Sequence, residues 1–317
     1  FLLRASYGTG FRAPSLTDLN APVITGTSAP GLNDPLRCPT TGSSLDCNTQ
    51  FIVKSGGQPS LKPERSESYT AGFVLEPTRN VHFGADFFKI NLSSTIVVGG
   101  LAADIILDSA NSALQFADKI TRRGTDPSIP GGYGPIVSID QTNANLFDVR
   151  TSGIDVDFKW RFAENHTGQW TFALNGTYYT KYDVQFPDGS YFTALANNTR
   201  GAVNGVIPRW KSVNTLSWDR GPYAASLIYN FQAAYLDHAS RVSGAQRTVG
   251  TYETFDAQAS YSGIKDWRLT LGVRNLLNRD PPYANADTQG QFQSGYDATY
   301  GDPRGRFMYA SATWKFK

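Results

Sequence analysis

The chain has 317 residues, and its 19 Phe, 16 Tyr and 6 Trp stand beside 30 Gly and 17 Pro. This composition favours β-strands and turns, while a charged fraction of 18% with 40% hydrophobic residues excludes a disordered chain and a coiled coil. The formal net charge is only +2 and no long basic run occurs, so nucleic acid is excluded as a partner. No segment reaches the ~18 consecutive apolar residues that a membrane-spanning helix needs.

The first residues, Phe1–Tyr7, already have the pattern of a strand. They contain none of the basic, apolar and small-residue regions of a signal peptide. We therefore expect the sequence to begin inside a strand and to be the C-terminal part of a longer protein.

Cys38 and Cys47 lie in a stretch rich in Pro, Gly, Ser, Thr and Asn, with eight residues between them. This is not the spacing of a CxxC metal or redox motif, and His82, His166 and His238 are far apart in the sequence, so no metal site is expected. We predict a disulfide that closes a surface loop, in preference to two free thiols, and hence an oxidising compartment. Closing so short a loop contributes roughly 2–3 kcal/mol.

Residues 101–120 are the one segment with convincing helical periodicity. Its apolar residues on roughly one face are Leu101, Ile105, Leu114, Ala117 and Ile120. Because the segment lies inside a long connection, we expect this helix to pack within the loop, and a partner-binding helix is the less favoured alternative.

Alternation with a period of two residues dominates the rest of the chain. Between residues 152 and 162, five apolar residues alternate with four charged ones, Asp155, Asp157, Lys159 and Arg161. Similar alternation occurs in 168–182, 223–235, 267–275 and 308–316. A soluble sandwich would turn the charged face to bulk water, whereas a membrane barrel would turn it to a wet lumen. Strands of this length match the ~9–11 residues that cross a bilayer obliquely.

Ten strands are predicted, at about 1–11, 66–75, 81–97, 148–162, 168–182, 208–218, 223–236, 252–262, 267–277 and 305–317. The connections alternate in length. The short ones are Glu76–Asn80, Ala163–Thr167, Asp219–Pro222 and Ser262–Asp266, and the long ones are about 12–65, 98–147, 183–207, 237–251 and 278–304. Compact soluble domains rarely sort their loops in this way, but outer-membrane barrels have short periplasmic turns and long external loops.

Aromatic residues are concentrated near the predicted strand ends. The set comprises Trp160, Phe162, Trp170, Tyr182, Trp210, Trp218, Tyr223, Tyr235, Tyr261, Trp267 and Trp314. Such positions suit the two headgroup levels of a membrane, although aromatic residues are enriched in strands of any kind.

Five segments, in order, resemble the TonB-dependent outer-membrane receptors. They are residues 7–16 (YGTGFRAPSL), 61–68 (LKPERSES), 151–156 (TSGIDV), 272–282 (GVRNLLNRDPP) and 300–307 (YGDPRGRF). The first resembles a strand end and outer rim, the second the LKPE element that re-enters the next strand, and the last two the penultimate strand and the approach to the final strand. Together they extend over essentially all of residues 1–317.

The resemblance implies an all-β, antiparallel transmembrane β-barrel of which residues 1–317 form the last ten of 22 strands. An N-terminal plug domain, with its TonB box, and the first twelve strands are expected to lie outside this sequence. The implied function is uptake of a scarce ligand across the outer membrane of a Gram-negative bacterium: a ferric siderophore in first place, or haem, cobalamin or an oligosaccharide. No enzymatic activity and no cofactor are implied.

The partners implied by the resemblance are the outer-membrane lipid, the TonB–ExbB–ExbD complex acting through the plug, and the barrel-assembly machinery acting on the C-terminal strand. That machinery usually recognises a terminal aromatic residue, whereas here Phe316 is followed by Lys317. A folding assay with and without Lys317 would measure the effect on assembly.

Ligand contacts are expected on the external loops, where rings and cations gather. The candidates are Phe186, Tyr191, Phe192, His238, Arg241, Tyr283, Phe292, Tyr296, Tyr300 and Arg304. Aromatic rings with a few polar groups suit a flat chelate, a macrocycle or a sugar ring. The alternative for each residue is that it only packs one loop against another.

Two other classes of protein stay open on the sequence alone. Ten strands are an even number, so the chain could close by itself as an outer-membrane protease or lipase, with His238 beside Asp237 and Ser240 as its local candidates. A soluble β-sandwich that binds carbohydrate is the third class, and it would partition into water without detergent.

Overall fold

A computed structural model describes residues 1–97, 103–185, 189–197, 205–238, 245–285 and 295–316. One antiparallel sheet dominates it, and its ten long strands pair in the order in which they occur in the chain. They are β1 (Leu2–Arg12), β2 (Glu64–Thr78), β3 (Val81–Val97), β4 (Ala144–Arg161), β5 (Gln169–Gln185), β6 (Trp210–Arg220), β7 (Tyr223–Gln232), β8 (Tyr252–Tyr261), β9 (Trp267–Arg274) and β10 (Phe307–Trp314). The ten predicted strands are thereby confirmed.

The sheet is open, with β1 and β10 as its two edges. A chain that closes by itself as a ten-stranded barrel is therefore not what the structure shows. Across the described ranges no second large sheet packs face to face on the first, so the β-sandwich expectation is wrong as well. The architecture is that of an arc of barrel wall.

Strand ends differ from the prediction where a local turn intervenes. We predicted that the ninth strand extends to residue 277, but β9 ends at Arg274 because Asn275 has a φ of 49°. The side chain of Asn275 accepts a hydrogen bond from the Arg279 backbone N–H at 2.8 Å and donates one to the Arg279 carbonyl at 2.8 Å, which closes a tight turn. Similarly, β7 ends at Gln232, and Tyr235–Leu236 pairs instead with Thr248–Val249.

The register assigns the two faces of the sheet. Asp157 on β4 lies opposite Asn175 on β5, and the neighbouring pair is Phe158 with Leu174. Polar partners thus share one face, here called the inner face, and apolar partners share the other, the outer face. Phe83, Leu216 and Leu227 are among the residues of the outer face, so the predicted alternation is correct.

Aromatic rings meet across strands at both ends of the outer face. Near the short turns, ring centroids of Trp170 and Trp218 lie 6.3 Å apart and those of Trp267 and Trp314 lie 5.9 Å apart. Near the long loops, the centroids of Tyr229 and Phe255 lie 4.9 Å apart. The predicted aromatic residues at the strand ends therefore form two girdles, as expected of a membrane-embedded wall. Tyr182 and Tyr235 of the predicted set are exceptions, because they pack in hydrophobic cores formed by the long loops.

Five long connections join the strands at one end of the sheet: loop 1 (13–63), loop 2 (98–143), loop 3 (186–209), loop 4 (233–251) and loop 5 (275–306). Loop 1 contains helices α1 (Leu16–Asn20) and α2 (Cys38–Thr41), and loop 2 contains α3 (Ala103–Ile106), α4 (Ala110–Gln115) and the 3₁₀ turn Ala117–Lys119. Short strands of loops 1 and 2 pair in one sheet in the order Ile24–Thr27, Ile52–Ser55, Ile136–Asp140, Ile120–Arg122. Tyr191–Thr193 in loop 3 pairs with the end of β5.

The single helix predicted for residues 101–120 is wrong. Ser109 is extended, with a φ of −152°, and its hydroxyl accepts a hydrogen bond from the Ser112 backbone N–H. Ser109 therefore caps the N-terminus of α4 and separates it from α3. The buried residues include Ile106, Ala113 and Phe116, and of the predicted apolar face Ile120 is buried whereas Leu114 is exposed. Loop packing, as opposed to a partner-binding helix, is confirmed, and none of the described helices is long and apolar enough to span a membrane.

Candidate functional site

Loops 1 and 2 form one assembly above the β1–β5 half of the wall. Its core joins Val53 of loop 1 to Ile106 and Ile139 of loop 2, and these pack on Val149 of β4 and Val184 of β5. Val149 and Val184 are themselves strand residues, so the assembly packs directly on the barrel wall.

A buried ion network ties the two loops together. Arg37 of loop 1 donates to Asp46 at 3.0 Å and, across to loop 2, to Asp126 at 3.0 Å and to the Tyr133 carbonyl at 2.7 Å. In the other direction, Arg122 of loop 2 binds both carboxylate oxygens of Asp34, at 2.6 and 3.0 Å. Paired charges of this kind are sensitive to the loss of one partner, because the remaining charge is left desolvated.

The pKa of Asp126 reflects this network. Hydrogen bonds from the Ser128 side chain first, and then from Arg37, hold the pKa of that carboxyl below its ordinary value. Asp126 is therefore ionised whenever the loops are folded at neutral pH.

The predicted disulfide is present between Cys38 and Cys47. It lies immediately beside the ion pair, since Arg37 precedes one cysteine and Asp46 precedes the other. The covalent bond and the ion pair thus hold the same two points of loop 1, and the prediction of a stapled loop is confirmed.

Loops 3, 4 and 5 form a second assembly above the β6–β10 half. Val206, Tyr235, Val249 and Ala284 make its small core, and Tyr300 packs against it. The Tyr235 hydroxyl donates to Asp297 at 2.8 Å and the Tyr300 hydroxyl donates to the Val206 carbonyl at 2.5 Å. Burial raises the pKa of Tyr300 to about 12, so its hydroxyl stays protonated and able to donate.

Asp237 is the fully buried centre of this second assembly. It accepts hydrogen bonds from the backbone N–H groups of His238 at 2.9 Å and Asn285 at 2.6 Å, and the His238 ring lies 3.1 Å away. Burial by itself would raise the pKa of Asp237, but the hydrogen bonds from His238 and Asn285 outweigh it and hold the pKa below its ordinary value. Asp237 therefore joins loops 4 and 5.

A cavity of about 480 Å³ opens on the inner face directly beneath the second assembly. Its polar lining includes Asn175, Lys211, Asn230 and Thr254, and Tyr300 reaches down from loop 5. The ammonium of Lys211 lies 5.0 Å from the centroid of the Tyr300 ring. The cavity thus combines one cation, one aromatic ring and several amide and hydroxyl groups, which suits a polar or anionic ligand.

On the other half of the inner face, charged side chains reach across glycines to pair with each other. Arg4 of β1 binds Asp86 of β3, with Nε at 2.7 Å from Oδ1, although β2 lies between them. Gly72 of β2 is the intervening residue in the register, and its missing side chain leaves the space that the Asp86 carboxylate occupies. Nearby, Thr177 donates to Asp155 at 2.6 Å.

Asp157 is another of the predicted inner-face charges. Its Oδ2 lies 2.6 Å from His82 Nε2. The inward carboxylates Asp155 and Asp157 therefore have partners within the wall itself.

A family model described as TonB dependent receptor-like, beta-barrel, matches residues 1–276. The chain belongs to the TonB-dependent receptors. The predicted resemblance is thereby confirmed over most of the sequence, and the open sheet is a part of the barrel of such a receptor.

Solved structures with a similar fold are receptors of the same kind. A mutant of the ferric enterobactin receptor PfeA from Pseudomonas aeruginosa is 17% identical, with a TM-score of 0.62, and the match covers 99% of this chain and 38% of that one. The siderophore receptor PirA from Acinetobacter baumannii is 14% identical, with a TM-score of 0.61, and the match covers 99% of this chain and 39% of that one. The copper transporter OprC is 14% identical, with a TM-score of 0.54, and the match covers 99% of this chain and 37% of that one.

At these identities the likeness shows the fold, and the chain spans about two fifths of the length of these proteins. A search of curated proteins finds no match. The family and these neighbours are transport receptors, not enzymes.

The predicted ligand residues of this TonB-dependent receptor lie in three different settings. Phe186, Arg241 and Phe292 are outside the described residues. Tyr191 is 45% exposed on the side of the β5 hairpin opposite the buried Val184, so it faces away from the first core. Phe192, in contrast, packs against that core.

The other predicted residues all belong to loops 4 and 5. Tyr283 and Tyr296 are paired as an isolated antiparallel bridge, and Tyr300 lies over the inner-face cavity. His238 is only 5% exposed. Arg304 is exposed and binds Asp302 with Nη2 at 2.6 Å from Oδ2.

The hydrogen bond from Arg304 lowers the pKa of Asp302 to about 2, so the pair stays ionised on the receptor surface. The burial of His238 and Asp237 places both side chains in loop packing, and Ser240, the third member of the rim-enzyme alternative, lies outside the described residues.

Sequence reasoning missed the cations that accompany the tyrosines. The guanidinium of Arg150 lies 4.9 Å from the Tyr191 ring centroid and that of Arg247 lies 4.4 Å from the Tyr283 ring centroid, while Lys211 covers Tyr300. Partners in each pair are distant in the sequence, so no local pattern could have found them. The position of Lys211 on the inner face follows from the strand register of the structure.

Proposed function

We propose that the chain contributes part of the wall and part of the ligand vestibule of an outer-membrane transport receptor, and that its ligand is a ferric siderophore. Membership of the TonB-dependent receptors supports the transport class and the outer-membrane location. The ten-stranded wall, with an apolar outer face, a polar inner face and folded external loops, carries the assignment.

In this proposal the energy for uptake comes from the TonB–ExbB–ExbD complex, acting on a plug domain that is not within residues 1–317. The inner-face cavity, and the side-chain pairs Arg4–Asp86 and His82–Asp157 on β1–β4, would then face that plug. Assembly would use β10 as the strand that the barrel-assembly machinery recognises.

The ligand class is proposed from charge and ring chemistry. Lys211 with Tyr300 lies over the cavity, and Arg247 with Tyr283 lies on the exposed rim of loops 4 and 5. Cations stacked on rings suit an anionic, aromatic iron chelate, because each pair offers a positive charge and a flat surface. A solved neighbour, a PfeA mutant, was crystallised in complex with enterobactin.

The direct test is binding of ferric enterobactin to the complete receptor in outer membranes. We expect the double variant Lys211→Gln, Arg247→Gln to bind at least about tenfold more weakly, since a hydrogen bond to a charged group contributes about 1.5–3 kcal/mol. The matched control is Lys62→Gln, Arg123→Gln, which removes two exposed cations from loops 1 and 2 and should bind as the wild type does.

Growth separates the substrate classes. A strain that depends on this receptor should grow under iron limitation when ferric enterobactin is supplied. Growth on an oligosaccharide, haem or cobalamin, without a response to any ferric siderophore, would overturn the ligand assignment and leave the transport class standing.

A further inference from the structure

Three cations lie on neighbouring strands of the outer face, at the long-loop end. Lys89 of β3 and Lys181 of β5 flank Ser152 of β4 in the register, and Arg150 lies two residues from Ser152 along β4. Strands are ≈4.8 Å apart and residues i and i+2 are about 6.7 Å apart, so the three Cα atoms fall within about 10 Å of each other. All three side chains are exposed.

Their distance from the short turns places them at the upper border of the apolar band. Val81–Lys89, Arg161–Arg150 and Gln169–Lys181 span nine, twelve and thirteen residues. At ~3.3 Å per residue and a tilt of about 40°, the cations stand roughly 23, 30 and 33 Å above the turns. The apolar band of such barrels is ≈25 Å tall, so these groups lie at headgroup level.

The surroundings of the cations leave them available to an anion. Lys181 pairs with Asp183 at 3.1 Å yet remains 48% exposed, and the Arg150 guanidinium stacks on Tyr191. Stacking uses the flat face of a guanidinium and leaves the N–H donors at its edge for an acceptor.

The next row of the register, which holds Arg150, also contains Glu67 and Asp183, and Asp183 is the residue that pairs with Lys181. Arg65 and Asp148 lie in higher rows, and Asp148 accepts a hydrogen bond from the Ser94 backbone N–H at 3.0 Å. The row that holds Lys89 and Lys181 continues through Tyr69 to Tyr7, whose ring centroids are 4.9 Å apart, and it contains no acidic residue. The row nearest the bilayer is therefore cationic and aromatic.

This arrangement is confined to one part of the wall. On the outer face of β6–β10, the strand residues near the long loops include Trp210, Phe231, Phe255 and Glu253, with no Lys or Arg among them. General attraction of a barrel to its membrane would distribute cations around the whole circumference. Three cations on adjacent strands instead form a localised site.

We propose that Lys89, Arg150 and Lys181 bind the phosphate groups of an anionic lipid of the outer leaflet, with Tyr69 and Tyr191 beside the headgroup. A phosphate offers several strong acceptor oxygens, which three converging cations can share. The inference rests on the proposed outer-membrane location, but it is independent of the transported ligand, because the site is on the face of the wall opposite the lumen.

The test uses the complete receptor purified in neutral detergent and titrated with diphosphoryl lipid A, with the same lipid lacking phosphates, and with inorganic phosphate. We expect the wild type to bind the diphosphoryl lipid more tightly than the lipid that lacks phosphates, and not to bind inorganic phosphate at millimolar concentration. Each cation near an anionic headgroup contributes about fivefold in affinity, so Lys89→Gln, Arg150→Gln, Lys181→Gln should bind roughly a hundredfold more weakly.

Two further variants make the result specific. Arg79→Gln, Arg220→Gln, Lys265→Gln removes three exposed cations at the short-turn end and should bind the lipid as the wild type does. Lys89→Arg, Lys181→Arg keeps the charge and should retain binding. The gel mobility shift of heated and unheated samples reports that every variant holds a folded barrel.

Equal binding by the wild type and the triple variant, or equal binding of the lipid with and without phosphates, would overturn the site. Binding of inorganic phosphate as tight as that of the lipid would overturn its assignment to a lipid headgroup. If the receptor is found in the outer membrane and gives one of these negative binding results, only the lipid-binding inference is refuted. If the receptor is not found in the outer membrane, the proposed function is refuted.

Discussion

Replacement of Gly72 on the inner face by alanine should destabilise the barrel wall. A Cβ at this position would lie 2.1 Å from Asp86 Oδ1 and 2.6 Å from the Ala85 carbonyl oxygen. The carboxylate can rotate away, but the carbonyl belongs to the neighbouring strand and can move only with the sheet. Gly72→Ala must therefore break the pair between Arg4 and Asp86 and also displace the β2–β3 ladder.

The expected cost follows from these two contacts. The ion pair is a minor part of this cost, because Arg4 is 50% and Asp86 24% exposed and solvent screens their attraction. Strain from one added methyl group in a packed site is typically about 1–3 kcal/mol. Against this, alanine in a strand gains about 0.5–1 kcal/mol over glycine. We expect the free energy of unfolding to fall by about 1–3 kcal/mol.

The assay is urea unfolding of the complete receptor in lipid vesicles, followed by tryptophan fluorescence. Gly8→Ala on the same face is the matched control, since its Cβ would meet only Ser68 Oγ at 3.3 Å, and it should leave stability unchanged or slightly higher. In an Asp86→Ala background, Gly72→Ala should cost less, because only the backbone contact remains. Equal stability of the Gly72→Ala and Gly8→Ala variants would refute the steric argument.

Three further predictions concern the external loops. Arg37→Ala should lower the local stability of loops 1 and 2 by about 3–5 kcal/mol, which would be measured as faster amide hydrogen exchange at residues 51–53. The control is Arg123→Ala, which removes an exposed cation. If exchange in Arg37→Ala is no faster than in this control, the role of the ion network is contradicted. Replacing Cys38 and Cys47 together by serine should cost the same loops roughly 2–3 kcal/mol, measured in the same way, with β6–β10 unaffected; a change in β6–β10 would speak against a local staple. Because the pKa of Asp237 is lowered in the folded receptor, its contribution to stability is complete above the ordinary value near about 4 and is lost as the pH falls through the lowered value. The melting temperature should therefore decline with acid below about pH 4, and an equal decline in Asp237→Asn would show that another group is responsible.

The candidate site was predictable only in part. The rings and cations of the external loops predict Tyr283, Tyr296 and Tyr300 as ligand residues, and the structure brings Tyr283 and Tyr296 together and sets Tyr300 above the cavity. The same pattern predicts Phe192 and His238, yet both are packed within the loops. Composition identifies a ring-rich loop, but it does not say which ring is buried, because burial depends on contacts with distant loops.

The sequence by itself determined the ten strands, the length order of the loops and the two faces of the wall. These depend on alternation and turn residues, which are local properties of the chain. Only the tertiary structure decided that Arg4 reaches Asp86 through the gap at Gly72, and that Lys211 lies over Tyr300. Such pairs join residues that are far apart in the chain, and the register that brings them together is a property of the whole sheet.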